Sequence, residues 1–220
     1  MMGNIKACLF DLDGVIVDTA KYHFIAWREL ASELGFEFTE TDNERLKGVS
    51  RIRSLEILLE VGGISLSEEK KTALAQMKND QYVSYIMKMT HDEILPGVVD
   101  FLHEVRKAGL KTAIGSASKN TPMILERIGL GSWFDAVIDG NKVSNAKPDP
   151  EVFLKGAEAL GVKPSECVVF EDAAAGVEAA INGGMKCIGI GSPEILWKAN
   201  LVIPGFMNFG LKELKELERA

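Results

Sequence analysis

Ile5-Lys6-Ala7-Cys8-Leu9-Phe10-Asp11-Leu12-Asp13-Gly14 is the stretch on which the fold reading turns. Its apolar run over residues 5–10 reads as a buried strand, which Asp-Leu-Asp-Gly breaks off into a loop. Apolar runs of the same kind recur at 111–114, 136–138, 167–170 and 186–190, with a last short one at 201–203. Between and after them lie helical patterns at 98–107, 120–128, 151–160, 173–182 and 211–217. Strand alternating with helix predicts an α/β fold with a Rossmann-like core. Its strands are parallel, its crossovers right-handed, and its helices cover both faces of the sheet.

One stretch breaks the alternation. From 17 to 92 the chain shows helical spacing and no convincing strand. Tyr22, Ile25, Ala26, Leu30 and Leu34 recur along one predicted helix, Ile52, Leu55, Ile57 and Leu59 along a second, and 70–89 forms a third. A block this long exceeds any simple strand-to-helix connection. The expected organisation is a core of residues 1–16 and 93–220 interrupted by an all-helical domain at 17–92, with Pro96-Gly97 marking the return.

Composition narrows the function classes. With 46% hydrophobic and 26% charged residues the chain has the balance of a folded soluble protein rather than a disordered one. A net charge of −7, from 25 Lys plus Arg against 32 Asp plus Glu, argues against nucleic acid or an anionic membrane as partner. A small anionic substrate needs only a few local cations. Cys8, Cys167 and Cys187 cannot all pair, and each sits in an apolar run. They read as reduced, buried thiols of a cytoplasmic protein. No apolar run approaches the roughly 18 residues of a membrane span, and no signal peptide is visible.

In an open parallel sheet, ligands gather beyond the carboxyl ends of the strands. Asp11 and Asp13 follow the first strand, Ser116-Ala117-Ser118-Lys119-Asn120 the second, Lys147-Pro148 comes after the third, and Glu171-Asp172 ends the fourth. Four carboxylates converge on one edge. At an effective dielectric of about 20, two unit charges about 5 Å apart repel by roughly 3 kcal/mol, so the group calls for a cation in its midst. An all-oxygen donor set favours a hard ion such as Mg2+, and Mg2+ beside a lysine is a toolkit for phosphoryl transfer. Simple helix capping by Asp11 and Asp13 would leave Lys147 and Glu171-Asp172 unexplained.

Phe10-Asp11-Leu12-Asp13-Gly14-Val15, Gly115-Ser116-Ala117-Ser118, Lys147-Pro148-Asp149-Pro150 and Phe170-Glu171-Asp172 resemble, in this order, the four motifs of the haloacid dehalogenase-like phosphotransferase superfamily. The resemblance spans essentially the whole chain. It implies a Rossmann-like core with a mobile helical cap. It also implies Asp11 as a nucleophile that becomes an aspartyl phosphate, and Asp13 as general acid and base whose backbone carbonyl also binds Mg2+. Ser116 would hydrogen-bond the transferring phosphoryl group, Lys147 would neutralise it, and Glu171 and Asp172 would complete the metal site. Ala173-Ala174-Ala175 departs mildly from the polar residues common at that point in relatives.

The strings 18–27, 46–55, 78–82 and 116–120 resemble, more narrowly, the β-phosphoglucomutase family within that superfamily. That resemblance implies interconversion of β-glucose 1-phosphate and glucose 6-phosphate, primed by β-D-glucose 1,6-bisphosphate. A mutase must hold a second phosphate away from the reacting one. Arg51 can grip it with paired hydrogen bonds, Lys119 and Asn120 can complete the cradle, and the loop Gly48-Val49-Ser50 can bring backbone amides to the ligand. Thr19, His23, Trp27, Ser54, Lys78, Ala117 and Ser118 complete the expected substrate pocket. By residue type alone, Ser54 and Lys78 are ordinary surface residues, Thr19 a helix cap, His23 structural and Trp27 core. Arg53 reads as a solvated helix charge. The expected partner is a small sugar phosphate, and the expected state a monomer. Two rivals stay open: a sugar-phosphate or phosphoglycolate phosphatase with the same machinery, and a phosphorylated signalling receiver domain, against which the large helical block argues.

Overall fold

The computed structural model describes residues 4–46 and 49–217. Its strands are β1 (Ala7–Phe10), β2 (Lys111–Gly115), β3 (Ala136–Ile138), β4 (Cys167–Glu171), β5 (Lys186–Ile190) and β6 (Leu201–Ile203). They form one sheet in the order β3-β2-β1-β4-β5-β6, and every neighbouring pair is parallel. Helices α1 (Ala20–Glu33), α2 (Glu40–Glu44), α3 (Arg51–Val61) and α4 (Glu68–Ile86) fall between β1 and β2. Helices α5 (Val98–Lys107), α6 (Thr121–Arg127), α7 (Glu151–Leu160), α8 (Ala174–Asn182) and α9 (Leu211–Leu217) alternate with or follow the strands.

The strands are apolar throughout because both faces of the sheet are covered. Side chains alternate between faces. Cys8 and Phe10 of β1, with Val168 and Phe170 of β4, pack under α5, α6 and α9. Ala7 and Leu9, with Cys167 and Val169, pack under α7 and α8. Phe10 and Phe170, paired across β1 and β4, stack at 4.8 Å with their planes 11° apart. All three cysteines are buried and free, as expected. Among the described residues, no helix is long and apolar enough to cross a membrane.

The inserted helices bury an apolar cluster of their own, built on Trp27, Leu30, Phe38, Leu55 and Leu58. Three details differ from the sequence reading. In α3, Leu55, Ile57 and Leu59 are buried as expected, together with Ser54 and Leu58, but Ile52 is 44% exposed. The last helix of the block begins at Glu68 because the Ser67 side chain caps it by accepting from Lys70 N. The short α2 has no apolar face for periodicity to detect. Its signal is the capping box at Thr39, where Thr39 and Asp42 satisfy one another's backbone N–H groups. The two passages between the block and the sheet lie side by side: Leu95 N donates to Ile16 O at 2.9 Å, and Glu93 accepts from Lys21 Nζ and Tyr22 Oη, each at 2.6 Å.

Candidate active site

Strand register brings the acidic residues together. Phe10 lies level with Phe170 and Ile114, so Asp11 emerges beside Glu171 and Gly115, and its N–H still donates to Phe170 O at 2.9 Å. Lys147 is buried between two carboxylates: its Nζ donates to Asp11 Oδ1 at 2.7 Å and to Glu171 Oε2 at 2.8 Å. Burial works against its charge, but Asp11 and Glu171 outweigh that and raise its pKa. Glu171 is fully buried and rises to about 8, chiefly through burial, with Lys147 opposing and Asp11 adding.

Two close approaches demand glycine. Gly14 has φ +75°, and a Cβ there would stand 2.2 Å from Asp172 Oδ2. A Cβ on Gly176 would stand 2.0 Å from Glu171 Oε2. The start of α8 therefore rests on the Glu171 carboxylate, which also accepts from Ala173 N at 3.1 Å. Asp11, Glu171 and Asp172 each offer a carboxylate oxygen, all within 4.8 Å of one another. One lysine cannot balance three such groups, and an all-oxygen set of this size fits a hard divalent cation. The Asp13 side chain lies outside this trio. Its carboxyl is pushed up to about 7, first by burial and then by the Asp11 charge, with Lys147 and Lys78 opposing.

A cavity of about 200 Å³ opens over this edge and runs between the sheet and the inserted helices. Asp11, Asp13, Ser116, Ala117, Ser118, Lys119, Asn120, Lys147 and Asp172 line it from the sheet side. His23, Trp27, Val49, Ser50, Arg51, Ser54 and Lys78 line it from the helical side. Gly48 and its neighbour Lys47 lie outside the described residues. Thr19 is fully buried and off the wall. It occupies the N-cap position of α1 but makes no capping bond. Glu171 also lies off the wall, beneath it.

The turn after β2 is a chain of side-chain bonds: Ser116 Oγ accepts from Ser118 N at 3.1 Å, and Ser118 Oγ from Asn120 N at 3.2 Å. Asn120 Nδ2 then crosses to the helical side, donating to Asn79 Oδ1 at 3.0 Å. On that side Lys78 is 3% exposed and makes no ion pair with a carboxylate among the described residues. Its Nζ lies 2.7 Å from His23 Nδ1, 4.4 Å over the Trp27 ring and 4.7 Å over the Tyr82 ring. Burial, then the nearby Arg51 charge, push its pKa well below the ordinary lysine range. His23 stacks on Tyr82 at 3.8 Å, and burial, then the Lys78 and Arg51 charges, push its pKa well below the ordinary imidazole range. Ser54 is likewise buried, so Ser54 and Lys78 are not surface residues. Arg53 is: it is exposed and pairs with Glu56 and Glu60. Among the described residues, three buried side-chain oxygens lack a partner: Asp13 Oδ1, Thr19 Oγ1 and Tyr82 Oη.

Sequence reasoning missed several wall residues. Ala20, Leu46 and Asn79 stand inside the strings already quoted, and residues 144–146 immediately precede Lys147. Asn43 was legible only through the capping box that creates α2.

Residues 5–184 match the model of the haloacid dehalogenase-like hydrolases. The chain is 39% identical to the β-phosphoglucomutase of Bacillus subtilis strain 168, over 96% of this chain and 95% of that one. It is 34% identical to a phosphorylated carbohydrates phosphatase of Thermotoga maritima, over 84% of each chain. A crystal structure of β-phosphoglucomutase from Clostridium difficile superposes with a TM-score of 0.94 at 42% identity, covering 98% of this chain and 97% of that one. With the model matched over residues 5–184 and a relative 39% identical along 96% of the chain, this chain belongs to the haloacid dehalogenase-like hydrolase family.

Proposed function

We propose that this chain is a β-phosphoglucomutase, interconverting β-glucose 1-phosphate and glucose 6-phosphate through β-glucose 1,6-bisphosphate. The observation that carries the reading is a single cavity with two separately held cationic ends. Lys147 is tied to Asp11 and Glu171, while Arg51 and Lys119 line the same cavity with no ion-pair partner among the described residues. A substrate with one phosphate needs only the first end.

Asp11 is the nucleophile. In the phosphorylated enzyme, the sugar 6-hydroxyl attacks phosphorus, the bond from phosphorus to the Asp11 oxygen breaks, and the hydroxyl proton passes to Asp13. The bisphosphate then turns end for end. Asp11 attacks the phosphorus on O1, the bond from phosphorus to O1 breaks, and Asp13 returns its proton to O1. Asp13 must therefore exist in both protonation states during turnover, and a carboxyl held near 7 is poised for that. Asp11, Glu171 and Asp172, with the backbone carbonyl of Asp13, would hold Mg2+. Bound there, the ion neutralises charge on the phosphoryl oxygens and keeps Asp11 ionised. Lys147 neutralises the same group from the protein side, and Ser116 hydrogen-bonds it.

Arg51, at the first turn of α3, grips the second phosphate with Lys119, Asn120 and the amides of the 48–50 loop. Trp27, Ser54 and Lys78 face the sugar. Thr19 acts from behind the wall, where it is fully buried at the start of α1, and His23, on the wall, orients Lys78. The helical block of 17–92 is the cap. A ligand that binds both walls draws them together and excludes water, so the phosphoryl group reaches sugar rather than solvent. The relatives that are phosphatases mark the competing outcome of the same machinery. The test supplies β-glucose 1-phosphate, a trace of the bisphosphate and MgCl2. Glucose 6-phosphate without matching release of inorganic phosphate is expected. Stoichiometric phosphate release would replace the mutase with a phosphatase, and turnover of the α anomer alone would overturn the specificity.

A further inference from the structure

Lys119 is an exposed lysine on a short turn, and a flexible side chain on a flexible turn makes a poor phosphate cradle. Its backbone is nevertheless held from outside the turn. The segment following β3 runs beside it: Gly140 N donates to Ser118 O at 3.2 Å, and Asn141 Nδ2 donates to Lys119 O at 3.2 Å. That segment is braced in turn, because Asn141 N donates to the buried Asp139 Oδ1 at 2.8 Å and Lys142 N to Asp139 O at 2.9 Å. The approach is close enough to exclude a side chain. A Cβ on Gly140 would stand 2.2 Å from Ala117 O and 3.1 Å from Lys119 Cγ. Three successive residues of the turn, 117 to 119, thus rest on two successive residues of the neighbouring strand end. None of these contacts involves Asp11, Lys147, Glu171 or Asp172.

We propose that Asn141 is a positioning residue for the second phosphate: by holding the Lys119 carbonyl it sets the reach of the Lys119 side chain into the cavity. The inference rests on the mutase reading, because only a substrate with a distal phosphate engages Lys119. It assigns a specificity role to a residue that is exposed and does not line the cavity. A donor is required at this position, since the group it meets is a carbonyl.

The experiment compares wild type, Asn141→Ala and Asn141→Asp in two reactions: conversion of β-glucose 1-phosphate with the bisphosphate as primer, and hydrolysis of acetyl phosphate, which has no second phosphate. Loss of one hydrogen bond in a positioning role should raise the KM for the bisphosphate about three- to tenfold. kcat/KM for acetyl phosphate should stay within about twofold. Asn141→Asp keeps the size but loses the donor, so it should repeat the Ala defect. Asn141→Gln, which keeps the donor, should recover part of the loss. Equal losses in both reactions, or none in either, would overturn the inference and leave the mutase reading intact. A wild-type enzyme that releases phosphate without forming glucose 6-phosphate would overturn both.

Discussion

On the sheet side of the cavity, Lys147 is pinned between Asp11 at 2.7 Å and Glu171 at 2.8 Å. On the helical side, Lys78 is as deeply buried but meets an imidazole and two aromatic faces in place of a carboxylate. The same residue type is driven in opposite directions: Lys147 is held protonated, while Lys78 is pushed toward the neutral amine. The sheet edge carries surplus negative charge that a metal ion can balance. The helical wall places the Arg51 guanidinium close to Lys78, so an incoming anion is favoured there. A phosphorylated substrate therefore completes the electrostatics of one wall while reacting on the other.

Substitutions should break this contrast unequally. Asp11→Ala removes the attacking oxygen, and phosphoryl transfer should fall on the order of 10⁴-fold or more with the fold retained. Undiminished conversion by this variant would end the proposal. Lys147→Ala leaves Asp11 and Glu171 buried without their cation, which should cost about 3–5 kcal/mol of folding stability in denaturant melts without divalent ions. Arg51→Ala should leave stability nearly unchanged. It should lower kcat/KM for the bisphosphate by roughly 10²-fold, the scale of charge-assisted hydrogen bonds, while barely affecting acetyl phosphate hydrolysis. Equal losses on both substrates would mean that Arg51 does not hold a distal phosphate.

The smallest expected effect concerns the cavity wall ahead of Lys147. Glu151 accepts from Ser144 N and Asn145 N, and pairs with Lys155 at 2.6 Å. The Lys155 contact first, then the two amides, depress its carboxyl to about 2. A depressed acid stabilises the fold above its unfolded pKa and loses that contribution as pH falls toward the folded one. The melting temperature of Glu151→Gln should therefore lie below wild type at pH 7, with the gap narrowing between about pH 4.5 and 2. A gap constant across that range would show that the carboxylate charge is not what anchors the loop.

Much of this is legible in the sequence. The strand ends at Asp11, Ser116 and Glu171 follow from apolar runs that stop abruptly at polar residues, because a strand buried on both faces tolerates no interruption. Local chemistry also marked the helical block and, through Leu55, Ile57 and Leu59, most of the buried set of α3, but it put Ile52 there in place of Leu58. Ile52 fits the helical period as well as Leu58 does, and only the neighbours α1 and α4 present decide between them. Lys78 read as a surface lysine because nothing near it in sequence foretells burial against Trp27 and Tyr82. Nothing in the sequence singled out Gly176, since its reason for being glycine is a carboxylate five positions earlier whose path depends on the turn between them.

Residue order alone settled the alternation of strand and helix, the oxygen-rich donor set and the row of motifs along one sheet edge, because each depends on short-range pattern and on side-chain type. Tertiary structure decided which lysine has its charge reinforced and which has it disfavoured, that Thr19 and Glu171 stand behind the wall rather than on it, and that Asn141 reaches the Lys119 carbonyl. Those outcomes depend on burial and on charges brought together from distant parts of the chain, and both arise only when the helices close over the sheet.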